Sequence, residues 1–308
     1  MQPARRGGEL ASAVVRTVIG TVGRVLVTVG LLILLFAVYQ LWGTGINEAR
    51  AQSDLRSTFE HDLAAGNPTT TGAATTTSSP TPTTAAPDAA PVAPPEGEPV
   101  GEITIDKIGV DKIVVEGTTV PDLRKGPGHY AGSPLPGQLG NSAIAGHRTT
   151  YGAPFGDLDQ LARGDLVTIR TVTGTWDYRL TQDPFAVEPG RTDVLNSVPG
   201  QATLTLTTCN PKYSASERLV VKAQLAEPPL LAPAPQPELV VDTGLSGGGE
   251  SRTPAIISCL VAALVGGLWW LFFHRYPRWT TWLAGVIPFL AALFVFYTFL
   301  ERVLPNNY

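Results

Sequence analysis

This chain has little net charge, no cluster of potential metal ligands and only two cysteines, and each of these features excludes some classes of function. The net charge is −4 and no long basic or acidic run occurs, so nothing indicates nucleic acid as a partner. Histidine, cysteine and carboxylate residues form no cluster at metal-ligand spacing, and no dense acidic loop offers calcium a site. We therefore expect no metal and no required cofactor. Only two of the 308 residues are cysteine, at positions 209 and 259.

Long apolar runs stand at both ends of the chain. Residues 25–42, 255–273 and 282–300 are uncharged and long enough to cross a bilayer, so three transmembrane helices are predicted. Arginines occur in residues 1–24 and again in the loop 274–281. Basic residues flank the cytoplasmic side of membrane helices. We therefore expect a multi-pass plasma-membrane protein with a cytoplasmic N-terminus and an extracellular domain.

A cleaved signal peptide is the competing interpretation of the first apolar run, because residues 49–51 read Ala-Arg-Ala. The run is longer than a usual signal core and the Ala-x-Ala site lies well past its end. An uncleaved anchor is therefore favoured.

Composition also separates the segments between these runs. Residues 43–63 mix charged and apolar positions and predict a juxtamembrane segment with a short helix. Residues 64–99 are rich in Pro, Thr and Ala and bury too little apolar surface to fold, so they predict a disordered stalk. Extended, this stalk would hold a domain on the order of 100 Å from the membrane. Residues 227–253 read as a second linker.

Residues 100–226 carry the features of one folded domain. Short β-rich runs broken by Gly and Pro predict many strands with little helix, which is typical of a small closed barrel or a sandwich. The predicted strands are residues 102–108, 112–117, 141–147, 165–172, 175–182, 202–209 and 217–225. Residues 154–162 predict one short helical turn.

The single cysteine of this domain, Cys209, ends the alternating run TLTLTTC at residues 203–209. Cysteines outside the cytoplasm are normally oxidised in pairs, so a lone thiol there is either buried and inert or a nucleophile. A thiol nucleophile needs an acid or base partner and a group that stabilises an oxyanion. His147 ends an apolar strand, and Arg218 begins the strand after Cys209, so Cys209 and Arg218 are expected close together at one end of the sheet. His129 lies in a Gly/Pro-rich loop and is predicted to be a surface or loop-packing residue.

Three stretches resemble one known family. TLTTC followed by an arginine after eight residues resembles the cysteine signature of sortases. The segment GNSAIAGHRTTYGAPFGDLDQL at 140–161 is similar to the sortase histidine segment, and VEPGRTDVL at 187–195 to the stretch before the cysteine strand. The likeness covers residues 100–226 and is greatest to class E sortases of Gram-positive actinobacteria. It implies a mostly β fold, a closed sortase-type β-barrel of about eight strands with short helices, beside the three transmembrane helices.

The resemblance also implies a mechanism. Cys209 would attack the Thr–Gly carbonyl of an LAxTG- or LPxTG-type sorting signal and form a thioester. His147 would protonate the leaving amine, and Arg218 would hold the substrate and the oxyanion. The partners implied are secreted proteins with C-terminal sorting signals, a lipid II-like peptidoglycan-precursor amine, and the membrane.

Two further residues are candidate substrate-binding positions. Tyr130 lies where a tyrosine is associated with the LAxTG preference of class E enzymes, and otherwise reads as an ordinary loop tyrosine. Thr208, next to the nucleophile, either contacts substrate or continues the strand. No carboxylate is an obvious third catalytic member. Four aspartates qualify by residue type alone: Asp106, Asp111, Asp157 and Asp165.

Several alternatives stay open. An L,D-type transpeptidase would need a Ser-x-Gly-Cys-like context, and a papain-like hydrolase would need its cysteine at a helix N-terminus, whereas Cys209 ends a strand. A non-catalytic, stalked wall-binding β-domain would have no need of the three convergent residues. A pilus-type sortase, which joins subunits through a lysine amine, would carry a lid segment with a tryptophan. Residues 46–99 contain no tryptophan, so anchoring to the wall is favoured.

Overall fold

The computed structural model describes residues 4–65, 91–226, 251–273 and 279–303. Nine strands and five helices are formed in these residues, and the strands all join one sheet. The helices are α1 Ala4–Val38, α2 Thr44–Ala65, α3 Val120–Leu123, α4 Thr253–Phe273 and α5 Trp279–Val303. The strands are β1 Pro99–Ile105, β2 Val110–Glu116, β3 Gly128–His129, β4 Gly140–Ala145, β5 Leu166–Thr171, β6 Gly174–Leu180, β7 Phe185–Val187, β8 Ala202–Asn210 and β9 Glu217–Leu225.

The sheet closes into a barrel, as predicted. Its strand order is β6-β5-β1-β2-β3-β4-β8-β9-β7, and β6 also pairs with β9. Tyr178 on β6 stands opposite Leu225 on β9, so the ring contains eight strands and β7 lies beside β9 outside it. Closure pairs every ring strand on both sides, and the ring is mixed, with parallel pairs β2–β3 and β4–β8 among antiparallel ones.

Alternation along the strands fills the barrel interior. On β6, Trp176, Tyr178 and Leu180 are buried while the residues between them are exposed. On β8, Leu204 and Leu206 are fully buried in the same core. This period of two is the pattern that a half-buried strand requires. The alternation used to predict this strand is therefore the alternation of buried and exposed side chains in the fold.

The two shortest strands, β3 and β7, were absent from the prediction. They span two and three residues, too few to show an alternating pattern. The first predicted strand also ends early, because Asp106–Ile108 form a 3₁₀ turn that closes on Gly109 at φ 65°. A left-handed φ of this kind is easily adopted only by glycine.

The expected wide separation between membrane anchor and domain is wrong. A π-helical turn at Tyr39–Gly43 joins α1 to α2, and α2 packs directly on the barrel. Leu55 and Phe59 of α2 are buried against Ile113 and Val115 of β2. The loosely helical spacing of this segment marks a barrel-binding face, because those apolar side chains leave water on docking.

Part of the predicted stalk also contacts the barrel. The main-chain N–H of Gly97 donates to the Glu116 carbonyl at 2.7 Å, and Gln138 Nε2 donates to the Pro91 carbonyl at 2.9 Å. The remainder of the predicted stalk, residues 66–90, lies outside the described residues, as do residues 227–250 of the second linker.

Three helices of the described chain are long and apolar enough to cross a membrane. These stretches are Val18–Ala65, Thr253–Phe272 and Ala284–Val303. The ring of Tyr39 contacts those of Phe294 and Tyr297, and the Tyr297 hydroxyl donates to the Leu32 carbonyl at 2.7 Å. The C-terminal ends of α1 and α5 are therefore packed together.

Candidate active site

Cys209 and Arg218 stand directly opposite each other on β8 and β9. Opposed residues of an antiparallel pair project to the same face of the sheet. The connecting loop 211–216 returns the chain between them, so the two residues mark one end of the barrel. Arg218 Nη1 donates to the main-chain carbonyls of Ala215 and Glu217 at 3.3 and 3.2 Å, which holds the guanidinium at this end.

His147 reaches the same end of the barrel from β4. This strand runs parallel to β8, with Ala145 opposite Thr207. The Gly146 N–H donates to the Thr207 carbonyl at 3.1 Å, which continues the pairing past the strand end. His147 lies two residues beyond Ala145, and Cys209 lies two residues beyond Thr207. The register therefore brings the backbones of His147 and Cys209 to the same level on adjacent strands.

Burial keeps both groups neutral in the unliganded structure. Burial raises the pKa of the Cys209 thiol, and the positive charges of Arg218 and Arg148 partly oppose that rise. Burial, together with the positive charge of Arg124, lowers the pKa of His147 to about 3. At neutral pH the thiol holds its proton and the imidazole is uncharged. A thiolate on Cys209 therefore forms only when the thiol gives up this proton.

Tyr130 belongs to the surroundings of Cys209. Its ring packs on the apolar cluster of Val120, Leu123, Ala145 and Cys209, and its hydroxyl bonds to Thr207 Oγ1 at 3.1 Å. Burial raises the pKa of Tyr130, with Arg218 and Cys209 acting on it electrostatically. Tyr130 therefore packs in the same apolar cluster as Cys209.

The Thr208 side chain is engaged inside the protein. It is buried, and its hydroxyl donates to the Gly146 carbonyl at 2.7 Å, which fastens β8 to the segment that carries His147. This hydroxyl therefore makes a hydrogen bond that holds two segments of the barrel together.

Arg148 is the functional candidate that the sequence analysis missed. Its guanidinium is buried, and Nη1 donates to the Cys209 carbonyl at 3.1 Å and to Asn210 Oδ1 at 2.5 Å, while Nη2 pairs with Asp159 at 3.0 Å. It fixes the backbone on which the thiol is mounted. The only sequence signal was its place next to His147, which does not separate it from an ordinary loop charge.

The aspartates that qualified by type are engaged elsewhere. Asp111, Asp157 and Asp165 form ion pairs with Arg56, Lys212 and Lys107, each with a nitrogen–oxygen distance of 2.7 Å. Asp106 is exposed in the 3₁₀ turn after β1. Across the described ranges, no group of three or more His, Cys, Asp or Glu residues could hold a metal.

His129 is buried, so of its two predicted roles the structure agrees with packing and not with a surface position. It lies in β3 and is fully shielded from solvent. Its Nδ1 bonds to Glu116 at 2.7 Å, and its Nε2 lies 2.8 Å from Ser133 Oγ and 3.0 Å from the Pro134 carbonyl. These bonds tie three segments of the barrel wall together.

The protein is therefore a closed β-barrel that carries a candidate thiol site, with a cysteine, a histidine and an arginine at one end. Residues 103–226 match the family model described as the sortase domain. This part of the chain is a sortase domain.

Individual relatives agree with that family. Sortase SrtE1 of Streptomyces coelicolor is 27% identical over 220 residues, a match that covers 67% of this chain and 56% of the relative. Sortase SrtE2 of the same organism is 28% identical over 239 residues, covering 72% of this chain and 85% of the relative. The chain thus spans about half the length of the first relative. The solved sortase E from Streptomyces avermitilis is 37% identical, with a TM-score of 0.39, over 43% of this chain and 90% of that one.

Proposed function

We propose that this chain is a membrane-anchored, extracellular cysteine transpeptidase that cleaves an LAxTG- or LPxTG-type sorting signal between Thr and Gly. The main support is the register of β4, β8 and β9, which aligns His147 and Arg218 with Cys209 at one end of the barrel. A thiol beside an imidazole and a guanidinium is the set that acyl transfer through a thioester requires.

The proposed reaction begins from the neutral pair. Cys209 sulfur attacks the Thr carbonyl carbon while its proton passes to His147, and Arg218 donates hydrogen bonds to the oxyanion that forms. The carbon–nitrogen bond then breaks, the imidazolium of His147 gives its proton to the departing glycine amine, and a thioester remains on Cys209. An incoming amine loses a proton to His147 and attacks the thioester. The sulfur leaves and takes that proton back, so the enzyme returns unchanged.

The proposed acceptor is a peptidoglycan-precursor amine, and the donors are secreted proteins with C-terminal sorting signals. Membership of the sortase family supports both partners in general. The likeness to SrtE1 and SrtE2 supports a class E assignment. We propose that Tyr130 reads the residue that differs between LAxTG and LPxTG, because its ring packs on the cluster that contains Cys209.

The proposed topology has a cytoplasmic N-terminus, an extracellular barrel and three membrane spans. Arginines precede the first span and occur between the second and third. The packing of the α1 end on the α5 end supports it, because the first and third spans run in the same direction in this topology.

The test uses the full chain in detergent with an LAxTG or LPxTG peptide and a glycine amine. We expect mass spectrometry to show Thr–Gly cleavage, amine transfer and an acyl adduct on Cys209. Cys209→Ala should abolish all three. Cys259→Ala, which removes the other cysteine from α4, is the matched control and should retain them. Folded protein that forms no adduct with either peptide would contradict the proposal.

A further inference from the structure

Glu301, at the C-terminal end of the last apolar helix, is buried against the barrel domain. Its carboxylate oxygen lies 3.9 Å from Arg124 Nε, and its main-chain carbonyl accepts a hydrogen bond from Arg124 Nη2 at 3.5 Å. A shielded carboxylate is costly unless an opposite charge accompanies it. Arg124 is that charge, and it follows α3 on the barrel. The C-terminal helix is therefore joined electrostatically to the catalytic domain.

The same arginine reaches the histidine segment. Arg124 Nε also donates to the Tyr151 hydroxyl at 3.1 Å. The Tyr151 ring lies against the His147 ring, with centroids 4.9 Å apart and planes inclined by 30°. A continuous chain of contacts thus runs from Glu301 through Arg124 and Tyr151 to His147.

The loop that carries Tyr151 needs outside support. Tyr151 and Ala153 have φ of 49° and 45°, in the left-handed region that non-glycine residues rarely occupy. Such a backbone persists only where its surroundings over-determine it. The Tyr151 N–H donates to Thr44 Oγ1 at 3.0 Å, at the junction of the first apolar helix with α2. Residues at the ends of two apolar helices therefore hold this loop from opposite sides.

We infer that the C-terminal hairpin, α4 and α5, is part of the active-site framework and that Glu301 is a positioning residue for His147. It acts by holding Arg124, which in turn holds Tyr151 against the imidazole. The inference rests on the proposed role of His147 in acyl transfer. It assigns the last helix a catalytic purpose beyond anchoring, since a sortase barrel without that helix would lack this contact.

The test is Glu301→Gln in the full chain, in detergent or nanodiscs. Losing the charge removes the ion pair and leaves Arg124 only the 3.5 Å bond to the Glu301 main-chain carbonyl on this helix, so kcat for thioester formation should fall about 3- to 30-fold while KM for the peptide stays the same. Glu60→Gln is the matched control, because Glu60 also makes a helix–barrel ion pair, with Arg170 at 2.5 Å, on a different part of the barrel. It should leave kcat unchanged. Arg124→Lys, which keeps the charge and loses the planar fork, should fall between wild type and Arg124→Ala.

A second readout does not depend on activity. With ¹³C-labelled histidine, the His147 Cε1–H signal is assigned by its loss in His147→Gln. In Glu301→Gln this signal should move toward its position in Tyr151→Leu, because the ring-current effect of Tyr151 is lost. An unmoved signal, or kcat equal to the Glu60→Gln control, would overturn the inference. Inactive wild-type protein would overturn the proposed function instead, and the His147 signal would still decide the positioning role.

Discussion

Replacement of Arg148 tests whether the thiol depends on a residue that binds the main chain of Cys209. Arg148→Ala leaves the buried Cys209 carbonyl and the Asn210 side chain without their donor. Each lost bond to a charged donor at a shielded acceptor costs about 1.5–3 kcal/mol, and the contribution of the half-exposed Asp159 partner is small. Since Asn210 is only partly buried, we expect a total loss of about 2–4 kcal/mol. For a domain of this size, that lowers Tm by roughly 6–12 °C.

The assay is thermal unfolding of the full chain, followed by near-UV circular dichroism. Arg191→Ala is the matched control, because Arg191 pairs with Asp193 by two bonds in an exposed loop. The control should change Tm little, because an exposed surface ion pair contributes little to stability. Arg148→Ala should also slow alkylation of Cys209 at pH 8, because the charge of Arg148 holds the pKa of the thiol down. A Tm within about 2 °C of the Arg191→Ala control would refute the reasoning.

Two further predictions concern the same barrel. Because burial raises the pKa of Cys209, alkylation by iodoacetamide should be slow at pH 7 and should rise with pH to a midpoint above the ordinary thiol pKa of about 8.5. Arg218→Ala should move the midpoint higher still, and a wild-type midpoint at or below about 8.5 would contradict the buried, neutral thiol. Glu116→Ala removes the acceptor of the buried His129 ring and should lower the free energy of unfolding by about 2–4 kcal/mol in urea titrations, whereas the exposed Glu188→Ala should change it by less than about 0.5 kcal/mol.

Local pattern was enough to predict seven of the nine strands of the sheet. The Leu/Thr alternation of residues 203–208 has the period of a strand with one face in the core, and Leu204 and Leu206 are fully buried there. Short connections between such strands fix which ends meet. For that reason the nearness of Cys209 and Arg218, joined by a brief loop, followed from the sequence. Transmembrane candidates were equally visible, because length and uninterrupted hydropathy are properties of a segment alone.

Contacts between distant segments were invisible to the same reasoning. Arg148 reaches Cys209 across 61 positions of the chain, and Arg124 reaches Glu301 across 177. Neither arginine carries a local mark that distinguishes it from a solvated charge. Likewise β3 and β7 exist because neighbouring strands offer them partners, since two or three residues specify no strand by themselves.

The position of the barrel relative to the first apolar helix also depended partly on local sequence and partly on contacts between distant segments. The sequence by itself determined that the segment 43–63 favours a short helix and that residues 64–99 are poor in core-forming side chains. Only the tertiary structure decided that Leu55 and Phe59 find a matching apolar surface on β2, which seats the barrel at the end of the first apolar helix. The physical reason is that periodicity reports which face of a helix is apolar, whereas the surface that covers that face is made by residues far away in the chain.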